Sequence, residues 1–466
     1  MPKPSLQAAS RQPPAAGIRP AAYTNTLVVG LGKTGLSCAR YLRSVGVRVT
    51  VTDSRSAPPG LERLRQELSD VAVSVGGFRT EPFAAADRLV VSPGVPLSEP
   101  HVAAALQRGV PVVGDVELFA QAARAPVAAI TGSNGKSTVT SLLGQMARLA
   151  GTRVAVGGNL GEPVLDLLDE AVELYVVELS SFQLETTETL APRAATVLNV
   201  SADHMDRYPD LAAYAAAKAR VLRLAESVIV NRDDPLVVAM SSAAKVSRGF
   251  TLGPPERGDF GLLEHRGESW LARGARRLLP AREVPLAGRH NLANTLSALA
   301  LGEACGLPLE PMIEALRGFR GLPHRTSLVA VKDGVSWYDD SKGTNPGATI
   351  AALHGLVLPD GPARAVLVAG GDCKGADFSA LAPVLAQLGR AVVLIGRDAP
   401  MIERVLRNRV PLFHASDMDD AVRLAGSAAQ SGDCVLLSPA CASFDMFDNY
   451  EHRGRAFAAA VSRLLR

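Results

Sequence analysis

The chain has 466 residues and a mass of 48.7 kDa, a length that suggests about two to four domains. Hydrophobic residues make up 47% and charged residues 20%, which is typical of a globular protein and excludes a largely disordered one. No apolar run reaches the roughly 18 residues of a membrane span, so we expect no membrane partner. Lysine and arginine total 49 against 46 acidic residues, and the net charge of +3 is too even to favour a nucleic acid as partner.

The five cysteines are too few for a disulfide framework, and none forms a C-x-x-C pair, which excludes a zinc ribbon and a thioredoxin motif. They are Cys38, Cys305, Cys373, Cys434 and Cys441. We expect buried or idle thiols in a reducing cytoplasm. The N-terminal segment is rich in Pro, Ala and Ser and lacks the apolar core of a signal peptide, so we predict a disordered tail over residues 1–21.

Beyond that tail, short β-branched runs alternate with longer helical stretches, which predicts βαβ units and an α/β fold with mostly parallel sheets. The alternation repeats in three blocks, so we predict three consecutive domains over residues 22–114, 115–320 and 321–466. The polar stretch 250–279 indicates hairpins or loops inserted in the second block. A long helix is predicted in the alanine-rich segment that starts at His290.

The sharpest local signal is the segment Gly132–Thr138, GSNGKST, which follows an apolar strand and precedes a helix. Glycines allow backbone N–H groups to point at a phosphate, and the helix N-terminus adds partial positive charge. Lys136 is placed to reach a β- or γ-phosphate, and the Ser137 hydroxyl to ligate Mg²⁺. Ile130 stands where the usual motif has its first glycine, so the loop is the shorter G-x-x-G-K-S-T. We predict a phosphate-binding loop, with an ordinary glycine-rich turn as the alternative.

A second glycine motif, Gly30–Gly35 or GLGKTG, follows an apolar strand and fits the dinucleotide fingerprint G-x-G-x-x-G. Asp53 ends the next strand, at the distance expected of an acid that binds a ribose hydroxyl. The motif by itself requires only a diphosphate and a ribose, so another nucleotide fits as well as NAD, and a purely structural turn is the third alternative. Arg55 follows closely and suits a phosphate.

Acidic and histidine residues appear at predicted strand ends in the second block. Glu178 ends one strand and His204 follows another, and carboxyl ends of parallel strands share one ligand crevice. Both side chains are therefore candidates to face the phosphate loop, where a carboxylate and an imidazole are possible metal ligands. The alternative is an ion pair for Glu178 and a loop hydrogen bond for His204. Lys218 lies in an alanine-rich helix, and that context alone predicts a solvated surface charge.

In the third block, polar clusters follow three β-rich runs. They are Asp339–Asn345, Gly370–Gly375 and Ser438–Ser443. Their lysines and hydroxyls suit carboxylate or phosphate groups, so we predict an anionic second substrate. Ordinary turns of an α/β domain are the alternative.

Taken together, these motifs resemble the Mur ligases of peptidoglycan synthesis over nearly the whole chain from about residue 24. The resemblance is carried by GLGKTG, TGSNGKST, GGN, ELSSFQLE, NVSADHMDRY, GRHNLAN, GLPHR, DDSKGTN, GGDCKGADFS and LLSPACASFDMF. The ELSSFQLE and HMDRY runs favour the member that adds D-glutamate. The DNPR motif of the relative that adds meso-diaminopimelate is absent from the sequence.

The resemblance implies a Rossmann-like N-terminal domain that binds a UDP-linked substrate, a central P-loop ATPase domain, and a Rossmann-like C-terminal domain that binds the amino acid. It implies ATP-dependent ligation of D-glutamate to UDP-N-acetylmuramoyl-L-alanine through an acyl phosphate. ATP and two Mg²⁺ ions are the implied cofactors, and we expect a cytoplasmic monomer. The first glycine motif is thereby reassigned from NAD to UDP.

Individual roles follow from the matching positions. The implied catalytic residues are Lys136, Glu178, His204 and Lys218. The implied ATP contacts are Gly132, Ser133, Asn134, Gly135, Lys136, Ser137, Thr138, Asn291, Asn294, Arg325 and Asp340. The implied contacts of the UDP substrate are Lys33, Thr34, Ser54, Arg55, Asn159 and His204. The implied D-glutamate contacts are Lys342, Thr344, Lys374, Ser443 and Tyr450. The implied metal ligands are Ser137, Glu178, His204 and Lys218.

Lys218 matches the lysine that the family carboxylates with CO₂, so the resemblance overrides the surface-charge interpretation. A carbamate turns a cation into an anion that can hold a second Mg²⁺, and it forms only from a neutral amine. The sequence departs from the family pattern at three positions. Tyr450 stands in place of Phe, Cys373 in place of Gly and Gly343 in place of Ala.

Three other functions fit parts of the sequence. One is a different amide ligase of the same superfamily. Another is an NAD-dependent oxidoreductase that uses the GLGKTG loop, and the third is a nucleotide-binding switch without catalysis. The second phosphate loop and the polar clusters at strand ends argue against the last two.

Overall fold

A computed structural model describes residues 25–241, 247–357, 361–373 and 375–465. The predicted tail and Lys374 lie outside the described residues. None of the helices in these ranges combines the length and the apolar character that crossing a bilayer requires.

The chain divides into two compact units. The first contains the chain up to Ala123 together with Pro163–Leu168 and Thr186–Thr189, and the second contains the remainder. Three separate sheets of five, nine and six strands occur, one in the first unit and two in the second. The predicted α/β class with mostly parallel sheets is therefore confirmed, whereas the boundaries at 114 and 320 stay a prediction.

The first unit is built on a parallel five-stranded sheet in the order β3-β2-β1-β4-β5. Its strands are β1 Thr26–Val29, β2 Val49–Asp53, β3 Ala72–Val75, β4 Arg88–Val91 and β5 Val112–Val113. Its helices are α1 Lys33–Ser44, α2 Leu61–Glu67, α3 Thr80–Ala84, α4 Pro100–Gln107 and α5 Asp115–Ala122. All residues of β1 and β4 are buried, as expected for strands covered on both faces.

The nine-stranded sheet has the order β14-β13-β12-β11-β10-β9-β6-β8-β7. Its strands are β6 Val127–Thr131, β7 Val154–Gly158, β8 Leu174–Glu178, β9 Ala194–Val197, β10 Ser227–Asn231, β11 Ser247–Phe250, β12 Phe260–His265, β13 Glu268–Arg273 and β14 Arg276–Pro280. The associated helices are α6 Lys136–Leu149, α7 Ser181–Glu185, α8 Leu211–Ala219, α9 Pro235–Met240, α10 Arg289–Ala304 and α11 Leu309–Gly318. Strands β12 to β14 pair antiparallel, which confirms the predicted hairpins.

The six-stranded sheet has the order β15-β16-β20-β17-β18-β19, and only the β15–β16 pair is antiparallel. Its strands are β15 Ser327–Lys332, β16 Val335–Asp339, β17 Ala365–Ala369, β18 Gly389–Leu394, β19 Leu412–His414 and β20 Cys434–Leu437. Its helices are α12 Pro346–Leu356, α13 Leu381–Leu388, α14 Ala399–Leu406, α15 Met418–Ala428 and α16 Tyr450–Leu464.

Strand β6 has β8 on one side and β9 on the other, so the chain leaves β6 at the point where the strand order reverses. Ligands of open α/β sheets bind in the crevice at such a switch point, outside the carboxyl ends of the strands. The apolar core behind this edge is formed by α6, α10 and α11 against the sheet, with Leu142 and Leu299 fully buried. The predicted long helix is confirmed as α10, and its buried sides keep the crevice floor fixed.

In the first unit, the segment Thr186–Thr189 is fastened to α5 by one carboxylate. Glu117, which is 3% exposed, accepts hydrogen bonds from the backbone N–H groups of Glu188 (2.7 Å) and Thr189 (2.9 Å). The Thr189 hydroxyl donates to its other oxygen at 2.6 Å. Removing a buried acceptor that binds several donors is costly, because the donors are left buried with neither water nor a hydrogen-bond partner.

We therefore expect Glu117→Gln to lower the free energy of unfolding by about 1.5–3 kcal/mol, because one oxygen becomes a donor that faces backbone N–H groups. Urea unfolding followed by circular dichroism measures the change. Glu170→Gln is the matched control, since the Glu170 side chain is 92% exposed beside Arg124. Its effect is expected to stay within about 0.5 kcal/mol, and equal stability of the two variants would contradict the assignment.

Candidate active site

The predicted phosphate loop joins β6 to α6, and two of its glycines have backbone conformations that other residues avoid. Gly132 has φ +149° and Gly135 has φ +85°. A Cβ atom at Gly135 would lie 2.3 Å from Oδ1 of Asn294. No side chain caps the N-terminus of α6, so its first N–H groups are available to an anion.

Residues that follow β9 brace this loop. The backbone N–H of Ser133 donates to the carbonyl of Asn199 (2.9 Å), and the N–H of Asn134 donates to its Oδ1 (2.9 Å). The Ser133 hydroxyl donates to the carbonyl of Ser201 at 2.9 Å. These contacts fix the loop from the neighbouring strand, and no role was predicted for Asn199 or Ser201.

Two lysines meet at the start of the loop. Lys136 Nζ donates to the carbonyl oxygens of Gly132 and Ser133, both at 2.9 Å. Lys218 Nζ donates to the same Gly132 oxygen at 2.8 Å and lies 4.3 Å from the ring centroid of Tyr214. Lys218 is 1% exposed, so the interpretation of this residue as a solvated surface charge is wrong.

The surroundings of Lys136 and Lys218 disfavour the charged form of each side chain, so the pKa of each is lowered. Burial lowers the pKa of Lys136, and only the more distant charges of Glu178 and Asp203 oppose that effect. Burial, followed by the charge of Lys136, holds the pKa of Lys218 well below its usual range. The site thus combines an excess of positive charge, which suits an anion, with a lysine that favours its neutral amine.

Glu178 ends β8, at the same sheet edge as the phosphate loop. It is 2% exposed, and its Oε1 accepts a hydrogen bond from Nδ2 of Asn159 at 2.6 Å. Its Oε2 is buried and, among the residues that the structure describes, has no hydrogen-bond partner. A buried carboxylate oxygen left open in this way fits a divalent cation such as Mg²⁺.

Within the described ranges, no group of three or more His, Cys, Asp or Glu side chains is arranged to hold a metal ion. A metal beside Glu178 would therefore take most of its ligands from hydroxyls, phosphate oxygens and water, as Mg²⁺ commonly does. Ser137, the hydroxyl predicted for this role, accepts a hydrogen bond from Nη2 of Arg325 at 2.7 Å.

His204 lies beside Tyr214, the ring that Lys218 also contacts, with the two ring centroids 6.4 Å apart. Its backbone has φ +59°, and its ring packs edge-on against Phe182 with the centroids 4.9 Å apart. Its Nε2 is 3.8 Å from Oδ2 of Asp203. The same Asp203 oxygen accepts from Nδ2 of Asn345 at 3.1 Å. Asp203, whose charge acts on both site lysines, was missed although it directly precedes His204 in the sequence.

A cavity of about 310 Å³ opens beside the phosphate loop. Its lining includes seven of the predicted ATP contacts, which are Asn134, Gly135, Thr138, Asn291, Asn294, Arg325 and Asp340. The lining also includes residues to which no role was assigned from the sequence, among them Leu198, Asn199, Ser201, Asn231, Phe250 and His290. Polar groups at one part and Leu198, Phe250 and neighbouring alanines at another suit a nucleotide with a flat base.

Asp340 is the buried acid of this cavity. It accepts hydrogen bonds from the backbone N–H of Thr326 (3.0 Å) and from the hydroxyl of Ser438 (2.7 Å). Burial raises its pKa to about 7, against the opposing effects of Ser438 and Arg325. The Asp340 carboxyl therefore changes charge near neutral pH and is suited to accept a hydrogen bond from a ligand hydroxyl.

Part of the predicted amino-acid site lies around Lys342, which also lines the cavity. Its Nζ is 4.1 Å from the ring centroid of Tyr450, and burial lowers its pKa to about 8. Burial and a hydrogen bond with Glu451 raise the pKa of the Tyr450 hydroxyl to about 12. Glu451 is thus a hydrogen-bond partner for the hydroxyl that distinguishes Tyr450 from the Phe of the family pattern. Ser443 is 3% exposed, and the backbone N–H of Thr344 donates to the Lys342 carbonyl.

A buried arginine holds two of the predicted amino-acid loops together. Arg453 in α16 is 1% exposed, and its Nε and Nη2 donate to the hydroxyl (3.0 Å) and carbonyl (2.8 Å) of Ser341. Its Nη1 donates to the carbonyls of Cys441 (3.1 Å) and Ala442 (3.2 Å). Burial lowers its pKa to about 10, so it remains charged at neutral pH. Arg453 was not predicted, because one of its partners, Ser341, lies more than a hundred residues away in the sequence.

The residues predicted to contact the UDP substrate are divided between the two units. Lys33 and Thr34 begin α1, and Ser54 and Arg55 follow β2, so all four lie at the carboxyl edge of the first sheet. Asp53 accepts from the backbone N–H of Leu31 (2.7 Å) and from Nε (2.9 Å) and Nη2 (2.7 Å) of Arg55. Both carboxylate oxygens of this acid are thus engaged within the fold. Asn159 and His204 are in the second unit.

A phosphate loop at a sheet switch point, flanked by buried lysines, an open carboxylate and a base-sized cavity, defines an α/β enzyme that uses a nucleoside triphosphate. Three family profiles match the chain. They are "Mur ligase MurD-like, N-terminal domain" over residues 24–114, "Mur ligase middle domain" over 130–302 and "Mur ligase, glutamate ligase domain" over 324–441. The chain belongs to the Mur ligase family, whose members are ATP- and Mg²⁺-dependent ligases of peptidoglycan synthesis.

Individual relatives agree with this assignment. UDP-N-acetylmuramoylalanine--D-glutamate ligase of Nitrosococcus oceani is 56% identical over 449 residues, which cover 96% of this chain and 98% of that protein. Two solved structures share the fold at low identity. A pseudomurein peptide ligase type C from Methanothermus fervidus has a TM-score of 0.60 at 17% identity, covering 95% of this chain and 100% of the other. UDP-N-acetylmuramate-alanine ligase from Thermotoga maritima has a TM-score of 0.58 at 19% identity, with the same coverage. An oxidoreductase function finds no support in these matches.

The Arg453 contacts lead to a test. We expect Arg453→Met to lower the free energy of unfolding by about 2–4 kcal/mol, since four buried oxygen acceptors lose their donor. Hydrogen exchange measured by mass spectrometry is expected to accelerate in peptides covering 339–343 and 438–443, and to stay unchanged at 127–131. Arg463→Met on the same helix is the control, because that side chain is 57% exposed. Unchanged exchange in both loops would show that Arg453 does not hold them.

Proposed function

We propose that the protein joins D-glutamate to UDP-N-acetylmuramoyl-L-alanine with the conversion of ATP to ADP and phosphate. The relative from Nitrosococcus oceani is named for this activity, and the match covers almost its whole length. The observation that carries the proposal within the molecule is the junction of Lys136, Lys218 and the Gly132 carbonyl beside the open Glu178 oxygen. Such a cationic pocket suits an enzyme that brings a carboxylate and a triphosphate together.

The chemistry requires activation because a carboxylate oxygen is a poor leaving group. In the proposed first step, the terminal carboxylate of the UDP-linked substrate attacks the γ-phosphorus of ATP, and the bond from that phosphorus to the bridging oxygen of ADP breaks. The product is an acyl phosphate. The amine of D-glutamate then attacks the acyl carbon, the amide bond forms, and phosphate leaves with a proton released from nitrogen. The balance is one amide, one ADP and one phosphate.

The first step joins two anions, so its rate depends on positive charge placed in advance. We assign this role to Lys136, which in our proposal exchanges the loop carbonyls for phosphate oxygens. The uncapped N-terminus of α6 and Arg325 add to it. Mg²⁺, when bound, neutralises phosphate charge during transfer, and Glu178 and Ser137 would hold it, with His204 and Lys218 as the further predicted ligands.

The nucleotide is assigned to the cavity beside the loop. Asn291 and Asn294 begin α10 there, and Nδ2 of Asn294 donates to Oδ1 of Asn291 at 3.1 Å. We propose that these amides orient the base and that Asp340 accepts from a ribose hydroxyl. Gly132 to Thr138 would surround the phosphates.

The amino acid is assigned to the loops around Lys342. A protonated Lys342 pairs with a carboxylate of D-glutamate, while Thr344 and Ser443 offer hydroxyls and the Tyr450 ring covers the side chain. Lys374 is the further predicted cation of this site. Because the pKa of Lys342 is lowered to about 8, its charge is present below that pH and is lost above it.

The UDP group is assigned to Lys33, Thr34, Ser54 and Arg55 of the first unit, and the sugar-linked acid to Asn159 and His204. The two assignments rest on different units and are tested separately. We propose further that the protein acts as a monomer in the cytoplasm, in a step of cell-wall synthesis on which cell shape and division depend.

Lys218 is proposed to work as a carbamate. Its buried and charge-repelled amine favours the neutral form, which can attack the carbon of CO₂ and release one proton from nitrogen. The product exchanges a second cation beside Lys136 for an anion. This removes the repulsion between the two lysines and supplies oxygen ligands for a second Mg²⁺.

The function is tested by coupled phosphate release with ATP, UDP-N-acetylmuramoyl-L-alanine and one amino acid at a time. D-Glutamate is expected to support turnover, and L-glutamate, meso-diaminopimelate and L-alanine are expected to give less than about 1% of that rate, because the acceptor site must place both carboxylates and the amine at once. Lys136→Met is expected to abolish turnover, whereas Lys332→Met, an exposed control, is expected to retain it. Release that is equal with all acceptors would refute D-glutamate ligation.

The carbamate is tested with Lys218→Ala. We expect this variant to be inactive and to regain part of the activity with acetate or propionate, because a free carboxylate can occupy the place of the carbamate. In the unmodified protein, ¹³C-labelled bicarbonate is expected to give a carbamate signal by NMR that is absent from the variant. Full activity of Lys218→Ala, or the same signal in it, would exclude the modification.

A further inference from the structure

Two loops of the six-stranded sheet pair with each other through a single antiparallel bridge. The backbone N–H of Asp372 donates to the carbonyl of Ala442 (3.0 Å), and the N–H of Ala442 donates back to the carbonyl of Asp372 (2.9 Å). Such an exchange of two hydrogen bonds makes the next residues along the two chains a non-hydrogen-bonded pair, in which side chains lie close together. Those residues are Cys373 and Cys441.

The two sulfur atoms are in contact. Sγ of Cys373 lies 2.8 Å from Sγ of Cys441. In non-hydrogen-bonded antiparallel pairs the Cα atoms are about 4.5 Å apart, which is within the span of a disulfide. All five cysteines lie in the described residues, and this is the pair among them whose sulfur atoms approach each other.

The surroundings hold the pair in place. The backbone N–H of Cys373 donates to Oδ2 of Asp398 (2.9 Å), and the carbonyl of Cys441 accepts from both terminal nitrogens of Arg453 (3.1 Å each). Cys373 is 3% exposed and Cys441 is 1% exposed. Because both residues are almost completely buried, only a small oxidant can reach the sulfur atoms.

We propose that Cys373 and Cys441 form a reversible disulfide when the protein is exposed to hydrogen peroxide. The Cys373 sulfur, the more exposed of the two, attacks the peroxide, so that an S–O bond forms, the O–O bond breaks and water leaves. The Cys441 sulfur then attacks that sulfur, the S–S bond forms and the S–O bond breaks with release of a second water. Two thiols and one hydrogen peroxide thus give one disulfide and two waters, and a dithiol reverses the oxidation.

The consequence concerns acceptor binding, and this part of the inference rests on the proposed function. A disulfide needs the sulfur atoms at about 2.05 Å, which is shorter than the present contact, so its formation must change the side-chain torsions of both cysteines and shift the backbone around them. Ser443, assigned to the D-glutamate site, is two residues beyond Cys441. We therefore expect oxidation to shift one wall of the acceptor site, and to have no effect on the phosphate loop, which belongs to a different sheet.

The covalent change is tested on the full chain with hydrogen peroxide, followed by alkylation and peptide mass mapping. We expect a loss of about 2 Da that dithiothreitol reverses, with Cys373 linked to Cys441. Cys373→Ser and Cys441→Ser are each expected to abolish the link, so that one suffices if the other fails to fold. Cys305→Ser, which changes a half-buried cysteine outside this pair, is expected to retain the Cys373–Cys441 link. Addition of oxygen without a link, or a link between other cysteines, would overturn the proposal.

The functional change is measured as the KM for D-glutamate before and after oxidation. We expect a rise of about threefold or more, since displacements below 1 Å already impair a positioned reactant, with the KM for ATP unchanged. Cys373→Ser is expected to keep its KM under peroxide. A disulfide that forms without altering the KM would refute the effect on acceptor binding. If no acceptor supports turnover, the proposed function fails while the mass measurement still decides the disulfide.

Discussion

Two buried ammonium groups share one carbonyl oxygen, that of Gly132, and the remainder of the site is organised around this contact. Like charges brought together away from water repel strongly, and no carboxylate pairs directly with either lysine in the described contacts. Glu178 and Asp203 act only at longer range. The arrangement is therefore resolved by an anionic ligand, by loss of a proton from Lys218, or by both, which is why the same pocket suits a triphosphate and a modified lysine.

The fold was largely predictable from the sequence, because its signals are local. Alternation of apolar runs and helices specifies parallel α/β sheets, and the polar stretch before α10 specifies the antiparallel strands β12 to β14. The division of the chain into two compact units could not be predicted from local sequence signals. The last two sheets fall in one unit, and segments Pro163–Leu168 and Thr186–Thr189 join the first unit from within the second block. Contacts between distant segments decide such divisions, and no short pattern reports them.

The candidate site was predictable where chemistry is written in neighbouring residues, as in the loop that ends at Lys136. It was not predictable where burial decides. Lys218 has the local sequence of a surface lysine, and only its contact with a residue 86 positions away reveals its environment. The roles of Asp203 and Arg453 were not predicted because they too depend on contacts with residues far away in the sequence. The sulfur contact between Cys373 and Cys441 likewise spans 68 residues and depends on the pairing of two loops.

The hydrogen bonds of Lys136 to its own loop have a kinetic consequence. Its ammonium already holds two oxygen acceptors, so in the proposed role the binding of a phosphate would exchange partners and create few new bonds overall. The same exchange runs backward when a phosphorylated product departs, because the loop carbonyls receive the lysine again. On the proposed role, a cation that always has acceptors would lower the free-energy cost of releasing the product, and so would favour fast turnover.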